Sequence, residues 1–219
     1  MIFVNFKTYA EASGQKALGL VQIISDVATV TQIKIIPVVQ LLDLRPIIST
    51  TKLEVWVQDI DPVTYGAHTG AVLPEEIASS GAIGTFLNHS EHKFEDKASL
   101  EMAINRAKEV GLKSLVFAAS LPELSEIAVF KPDFLAYEPP EFIGKTDVSV
   151  ASAQPEVISQ AVEIARGVGI PLVVGAGIHS GEDVRKSLEL GAVGVALATD
   201  VVKSPDPKAE LLDLTEGFK

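Results

Sequence analysis

Phe134-Leu135-Ala136-Tyr137-Glu138-Pro139-Pro140-Glu141-Phe142-Ile143-Gly144-Lys145 is the stretch from which the architecture of this chain is read. An apolar run, Phe134 to Tyr137, delivers the carboxylate of Glu138. Pro139 and Pro140 lack a backbone N–H, so a buried strand must stop there. The residue before Pro139 is held extended, which fixes the direction of the backbone at Glu138. Apolar Phe142 and Ile143 follow, and Gly144 gives the backbone freedom. These features describe a carboxylate at a strand end beneath a hinged flap. Taken alone, they fit an exposed glutamate on an ordinary turn better.

Seven further runs of the same kind surround this one: Ile2–Phe6, Ile33–Val39, Leu53–Val57, Ile83–Leu87, Ser114–Ala118, Pro171–Val174 and Val193–Leu197. Most are apolar throughout and lack a two-residue alternation, the pattern of parallel strands covered on both faces. Helical segments lie between them. In Lys97–Val110, Leu100, Ala103, Ile104 and Ala107 form one stripe that Gly111 ends. Pro155 opens a helix whose Val157, Ile158, Ala161, Val162 and Ala165 share a face before Gly169. Ser180-Gly181-Glu182-Asp183 is a capping pattern for a helix ending at Gly191, and Ser120 with Glu123 suggests another. Eight strand–helix units at a spacing of about 27 residues predict a single-domain (β/α)₈ barrel over residues 1–219. An open doubly wound sheet competes, but a Gly-rich dinucleotide fingerprint is absent. The chain is short for such a barrel, typically about 250 residues, so some helices must be abbreviated. Asp43–Ser49 and Leu73–Ser80 are the candidates.

The chain has 219 residues, 47% hydrophobic and 21% charged, which excludes a disordered or fibrous protein. A net charge of −11 leaves no basic stripe for nucleic acid. Without cysteine there are no disulfides, thiolate metal sites or Cys nucleophile. No signal-like N-terminus or membrane-length apolar run is present, so a soluble cytoplasmic protein is expected.

Active sites of such barrels gather at the C-terminal ends of the strands. There the sequence offers Asn5-Phe6-Lys7, Asn88-His89-Ser90-Glu91, Glu138, Gly175-Ala176-Gly177-Ile178 and Ala198-Thr199-Asp200. Singly, Lys7 reads as a solvated lysine, His89 as a loop cap and the glycines as a tight turn. Together they put a base, an imidazole, a fixed cation and a glycine turn on one rim. A Schiff-base enzyme needs a buried lysine at a strand end, and strand six offers Glu138 instead. A metal-dependent epimerase needs several ligands on neighbouring strands, and only His89 qualifies, so neither metal nor cofactor is expected. One carboxylate, one imidazole and one ammonium suit metal-free proton abstraction beside a carbonyl.

These residues resemble the triosephosphate isomerase family in its short archaeal form. The resemblance rests on Asn5-x-Lys7, Gln58-Asp59, His68-Thr69-Gly70, Asn88-His89-Ser90-Glu91, Tyr137-Glu138-Pro139-Pro140-Glu141 with Ile143-Gly144, and Gly175-Ala176-Gly177-Ile178. It implies that Glu138 is the base, that His89 is a neutral imidazole polarising the carbonyl, and that Lys7 and Asn5 hold the substrate. Glu91 would position Lys7. Pro139–Lys145 would close over the phosphate of a triose, with Ile143, Gly144 and Lys145 beside it. Gly175, Ala176, Gly177, Thr199 and Asp200 would bind that phosphate. Thr69 would reach into a neighbouring subunit of a homo-oligomer of at least two chains.

Three departures stand out from that pattern. Asp200 takes a place where the family usually has glycine, facing the phosphate with a carboxylate, and His179 is expected to offset it. Lys145-Thr146 replaces the usual Thr-Gly at the closing end of the flap. His92 stands where many members have arginine. The alternatives to a working isomerase are a non-catalytic phosphosugar-binding barrel and an epimerase of another kind.

Overall fold

In a computed structural model, which describes residues 1–140 and 153–219, eight parallel strands close into a barrel. The strands are β1 (Ile2–Asn5), β2 (Ile35–Val39), β3 (Trp56–Val57), β4 (Gly84–Leu87), β5 (Lys113–Ala118), β6 (Phe134–Tyr137), β7 (Leu172–Val174) and β8 (Gly194–Leu197). Each pairs with the next, and β1 pairs with β8 through Ile2↔Val195, Phe3↔Ala196 and Val4↔Leu197. The expected (β/α)₈ barrel is thus formed.

The apolar runs are explained by two cores. Side chains alternate across a strand, so each strand serves both. Ile2, Val4, Ile35, Val39, Val116, Leu135 and Val174 face outward and pack under the helices. Phe3, Ile36, Val38, Trp56, Phe86, Leu115, Phe117, Ala136, Val173 and Ala196 fill the barrel. Trp56 meets Phe3 edge-on at 5.0 Å between ring centroids. A Cβ at Gly84 would lie 2.6 Å from the Trp56 indole, so that strand position must stay bare for the large ring to sit inside.

The helices are α1 (Gln15–Thr31), α2 (Leu41–Ile48), α3 (Pro74–Ser79), α4 (Lys97–Glu109), α5 (Leu121–Ala128), α6 (Pro155–Gly167), α7 (Gly181–Glu189), α8 (Thr199–Val202) and α9 (Pro207–Glu216). The two helices expected to be short have 8 and 6 residues. Caps fix where others begin. Ser120 accepts the Glu123 N–H, Ser180 accepts that of Asp183, and Asp96 accepts that of Ser99. Glu123 and Asp183 reach back one residue beyond the cap, to the N–H groups of Ala119 and His179.

Two strands, β2 and β3, start more than one residue later than their apolar runs suggest, at Ile35 and Trp56. The hydroxyls of Thr31 and Thr51 accept the N–H groups of Ile33 and Leu53, turning the backbone just ahead of β2 and β3. Among the described residues no helix is long and apolar enough to cross a membrane.

Candidate active site

The alternation that fills the barrel also aims the site. Phe3, Ala136 and Val173 point inward, so Asn5, Glu138 and Gly175, two residues further along, face the same way at the C-terminal mouth. The cleft there is lined by Asn5, Lys7, His89 and Glu138 with the 175–179 and 196–200 segments.

Lys7 has φ 47°, a left-handed conformation uncommon for a side-chain-bearing residue. Its N–H donates to Asn5 Oδ1 at 3.0 Å, and its carbonyl accepts from Gln58 Nε2 at 2.9 Å. These contacts hold the turn that sends Lys7 across the mouth, where Nζ lies 2.7 Å from Glu91 Oε1. Asn88 also has a positive φ, 58°, and its amide donates to the Phe117 carbonyl at 2.9 Å. That pins the turn leading from β4 into His89.

His89 Nδ1 accepts the Glu91 N–H at 3.1 Å. An amide N–H is only a donor, so the proton of the neutral ring sits on Nε2, which faces Glu138 Oε2 at 3.7 Å. Burial, and then the Lys7 cation, push the His89 pKa down to about 4 against the pull of Glu91. The ring is therefore neutral near pH 7 and offers a hydrogen bond without a charge. It packs edge-on against Phe117 with centroids 4.9 Å apart.

Glu138 is 7% exposed, and burial raises its pKa to about 7. The Ser90 hydroxyl, donating to Oε2 at 2.9 Å, and the Lys7 cation oppose the rise; Glu91 adds to it. A carboxylate tuned this way is a far stronger base than an ordinary one and is still substantially ionised at neutral pH.

On the β7–β8 side, a Cβ at Gly175 would stand 3.2 Å from Glu138 Cβ, so glycine there is what admits the carboxylate. The N–H groups of Ala176, Gly177 and Ile178 have no hydrogen-bond partner among the described residues and are available to an anion. Thr199 Oγ1 lies 3.2 Å from the Tyr9 hydroxyl. Asp200 does not stand alone: its Oδ1 is 3.1 Å from His179 Nδ1.

The structure brings Asn5, Lys7, His89, Glu138, Gly175, Ala176, Gly177, Thr199 and Asp200 to one cleft, with Glu91 bonded to Lys7 at its rim. Thr69 is elsewhere, exposed in the loop before α3. Ile143, Gly144 and Lys145 lie outside the described residues. Sequence reasoning gave no role to Ser90, although it stands next to His89, nor to Gln58. Phe117, a β5 residue with nothing polar to mark it, was also passed over. His92 Nε2 lies 3.0 Å from Asp59 Oδ2, and burial, then Asp61, raise the Asp59 pKa to about 7. Among the described residues no group of three or more His, Asp or Glu side chains is placed to hold a metal ion.

Residues 1–120 match the family model described as triosephosphate isomerase, and residues 143–217 match one described as histidine biosynthesis protein. The chain is 40% identical to the triosephosphate isomerase of Metallosphaera sedula, covering 99% of this chain and 95% of that one. It is 38% identical to that of Methanothermobacter thermautotrophicus (98% and 93% covered) and 39% identical to that of Thermoplasma volcanium (97% and 98%). Identity of this order along nearly the whole of both chains, on a closed eight-stranded barrel, makes this protein an isomerase that belongs to the triosephosphate isomerase family.

Proposed function

We propose that Glu138 is the base and His89 the electrophile with which this isomerase interconverts dihydroxyacetone phosphate and D-glyceraldehyde 3-phosphate. The single observation that carries the assignment is the pairing of a buried carboxylate, its pKa near 7, with a neutral imidazole whose Nε2 lies 3.7 Å away. Glu138 takes the proton from the carbon beside the carbonyl. His89 donates from Nε2 to the oxygen on which negative charge develops, and then exchanges protons between the two oxygens of the enediolate. Lys7 adds fixed positive charge next to that oxygen. Each donor of this kind is worth about 3 kcal/mol of barrier in comparable sites. Asn5 presents its amide nitrogen to the substrate, since its oxygen is taken by the Lys7 N–H. The roles of base and electrophile follow those the family resemblance implies.

The phosphate lies against the Gly175–Gly177 turn, where the N–H groups of Ala176 and Gly177 have no partner among the described residues, and beside Thr199 and Asp200. Pro139 to Lys145, with Ile143 and Gly144, closes over it and keeps water from the enediolate. Thr69 reaches toward a second copy of the chain, and the functional unit is a homo-oligomer of at least two subunits. The reaction needs no metal or other cofactor and takes place in the cytoplasm.

A coupled assay with D-glyceraldehyde 3-phosphate tests the reading. Turnover in both directions, unchanged by prolonged treatment with a chelator, is expected. A background rate, with inorganic phosphate still raising the melting temperature, would reduce the protein to a binding barrel.

A further inference from the structure

His89, Ser90 and Glu91 are consecutive, and each makes a contact on which the cleft depends. His89 Nε2 faces Glu138, the Ser90 hydroxyl donates to Glu138, and Glu91 pairs with Lys7. The chemistry therefore hangs on one short loop between β4 and α4. Such a loop keeps its side chains aimed only if both of its ends are tied to something rigid.

What ties it is a carboxylate outside the cleft. Glu123 is half-buried in the first turn of α5. Its Oε2 accepts the Ala119 N–H at 2.8 Å, which fixes the side chain to the connection between β5 and α5. Its Oε1 turns to the loop after β4, accepting from Asn88 Nδ2 at 3.1 Å and from Lys93 Nζ at 3.0 Å. Asn88 and Lys93 bracket His89, Ser90 and Glu91, so one carboxylate holds the segment from both sides.

The Asn88 end is held by further bonds. Its Nδ2 also donates to the Phe117 carbonyl at 2.9 Å, and its Oδ1 accepts the Phe94 N–H at 3.3 Å. Both amide hydrogens are therefore in use, at a residue with a φ of 58°. Phe117, whose carbonyl takes that amide, is also the ring against which His89 packs. Across the loop the His92 N–H donates to the His89 carbonyl at 2.8 Å.

Burial alone would raise the Glu123 pKa, but the Ala119 N–H, Lys93 and Asn88 together bring it below the ordinary carboxylate value. The clasp is thus charged at neutral pH. The described residues that line the cleft include His89 and Phe117 but not Asn88, Lys93 or Glu123, so its influence on the reaction is indirect.

We propose that Glu123 is a positioning residue for the isomerase reaction: through Asn88 and Lys93 it clasps the loop that carries His89 and fixes both the aim and the tautomer of the imidazole. This rests on the assignment of His89 as the electrophile. The tautomer depends on the clasp because the Glu91 N–H that sets it belongs to the same loop. A loop free to shift releases Nδ1 and lets the ring proton sit on either nitrogen.

The test compares the parent with Glu123→Ala, Glu123→Gln, Lys93→Met and Asn88→Gly by two readouts. One is kcat and KM with D-glyceraldehyde 3-phosphate. The other is nitrogen NMR of the histidine rings in the resting protein at about pH 7, with the His89 signals assigned by His89→Gln. The His89 pKa of about 4 leaves the ring neutral there, so the signals report the tautomer. The parent should show one protonated and one bare ring nitrogen. Glu123→Ala should draw the two signals together and lower kcat by about thirtyfold, with KM within about twofold because the phosphate is held on the other side of the cleft. Lys93→Met and Asn88→Gly should act in the same direction by about threefold to tenfold. Glu123→Gln keeps an acceptor oxygen and should lose less than Glu123→Ala.

Loss of a helix cap alone would lower the melting temperature and leave kcat and the ring signals as in the parent. That result overturns the proposal, as does a loss confined to KM. Lys93→Met and Asn88→Gly leave the α5 cap untouched, and glycine accepts the positive φ, so both decide the matter even if Glu123→Ala folds poorly. The ring signals are read without substrate, so the isomerase assignment and this one fail separately.

Discussion

The Ser90 hydroxyl donates to Glu138 Oε2 at 2.9 Å, tying the loop after β4 to the carboxylate at the end of β6. The bond stabilises the ionised form of a group that burial drives the other way. Ser90→Ala should therefore raise the Glu138 pKa further above 7. The acid limb of kcat/KM would move to higher pH, while the rate well above the limb stays closer to the parent's. A pH–rate profile checks this, and a limb displaced to lower pH would contradict it.

Burial of Glu138 has a consequence for stability with a definite sign. Its pKa is about 7 in the folded chain against 4.5 for the free side chain, so between these values the folded state holds more protons than the unfolded one. Stability then falls as pH rises from 4.5 to 7, and the full penalty, up to about 3 kcal/mol, stands above that. Glu138→Gln, which is neutral at all pH, should be more stable than the parent at pH 8 and lose that advantage toward pH 5. Urea unfolding at the two pH values measures the difference.

Lys7 and Glu91 form a 2.7 Å ion pair in which the glutamate is 56% exposed. Such a pair contributes little to folding, about 1 kcal/mol at most. Its effect should appear in turnover, because it holds the ammonium of a backbone-strained lysine over the cleft. Glu91→Gln should change the urea midpoint little and lower kcat/KM by about tenfold, whereas Lys7→Met should cost more.

Gly175 gives a steric test. A methyl group there meets Glu138 Cβ at 3.2 Å, closer than an ordinary contact. Gly175→Ala should reduce kcat by displacing the Glu138 carboxylate, with a stability loss of about 1–3 kcal/mol from crowding. Unchanged kcat, measured with the same coupled assay, would mean that the carboxylate tolerates displacement.

The barrel was legible because its strands are buried on both faces, which writes them as continuous apolar runs. Residues such as Ile33 and Leu53 misled only at the edges, where a threonine hydroxyl two residues earlier bends the chain. Glu138, Lys7 and Asn5 were legible as polar residues at the ends of apolar runs. Phe117 was not, since an inward phenylalanine on β5 looks the same whether it packs against Phe86 or against His89. The expectation that His179 lies beside Asp200 rested on the barrel, which brings the ends of two neighbouring strands together without any local spacing to mark it, and the two side chains do lie 3.1 Å apart.

The most direct measurement is the turnover of Glu138→Gln with D-glyceraldehyde 3-phosphate under the coupled assay. Glutamine keeps the shape of the side chain and removes its charge and its basicity. Loss of at least about a thousandfold in kcat, with folding intact, is the result this account predicts. A rate within about tenfold of the parent would show that another group removes the proton, and would contradict it.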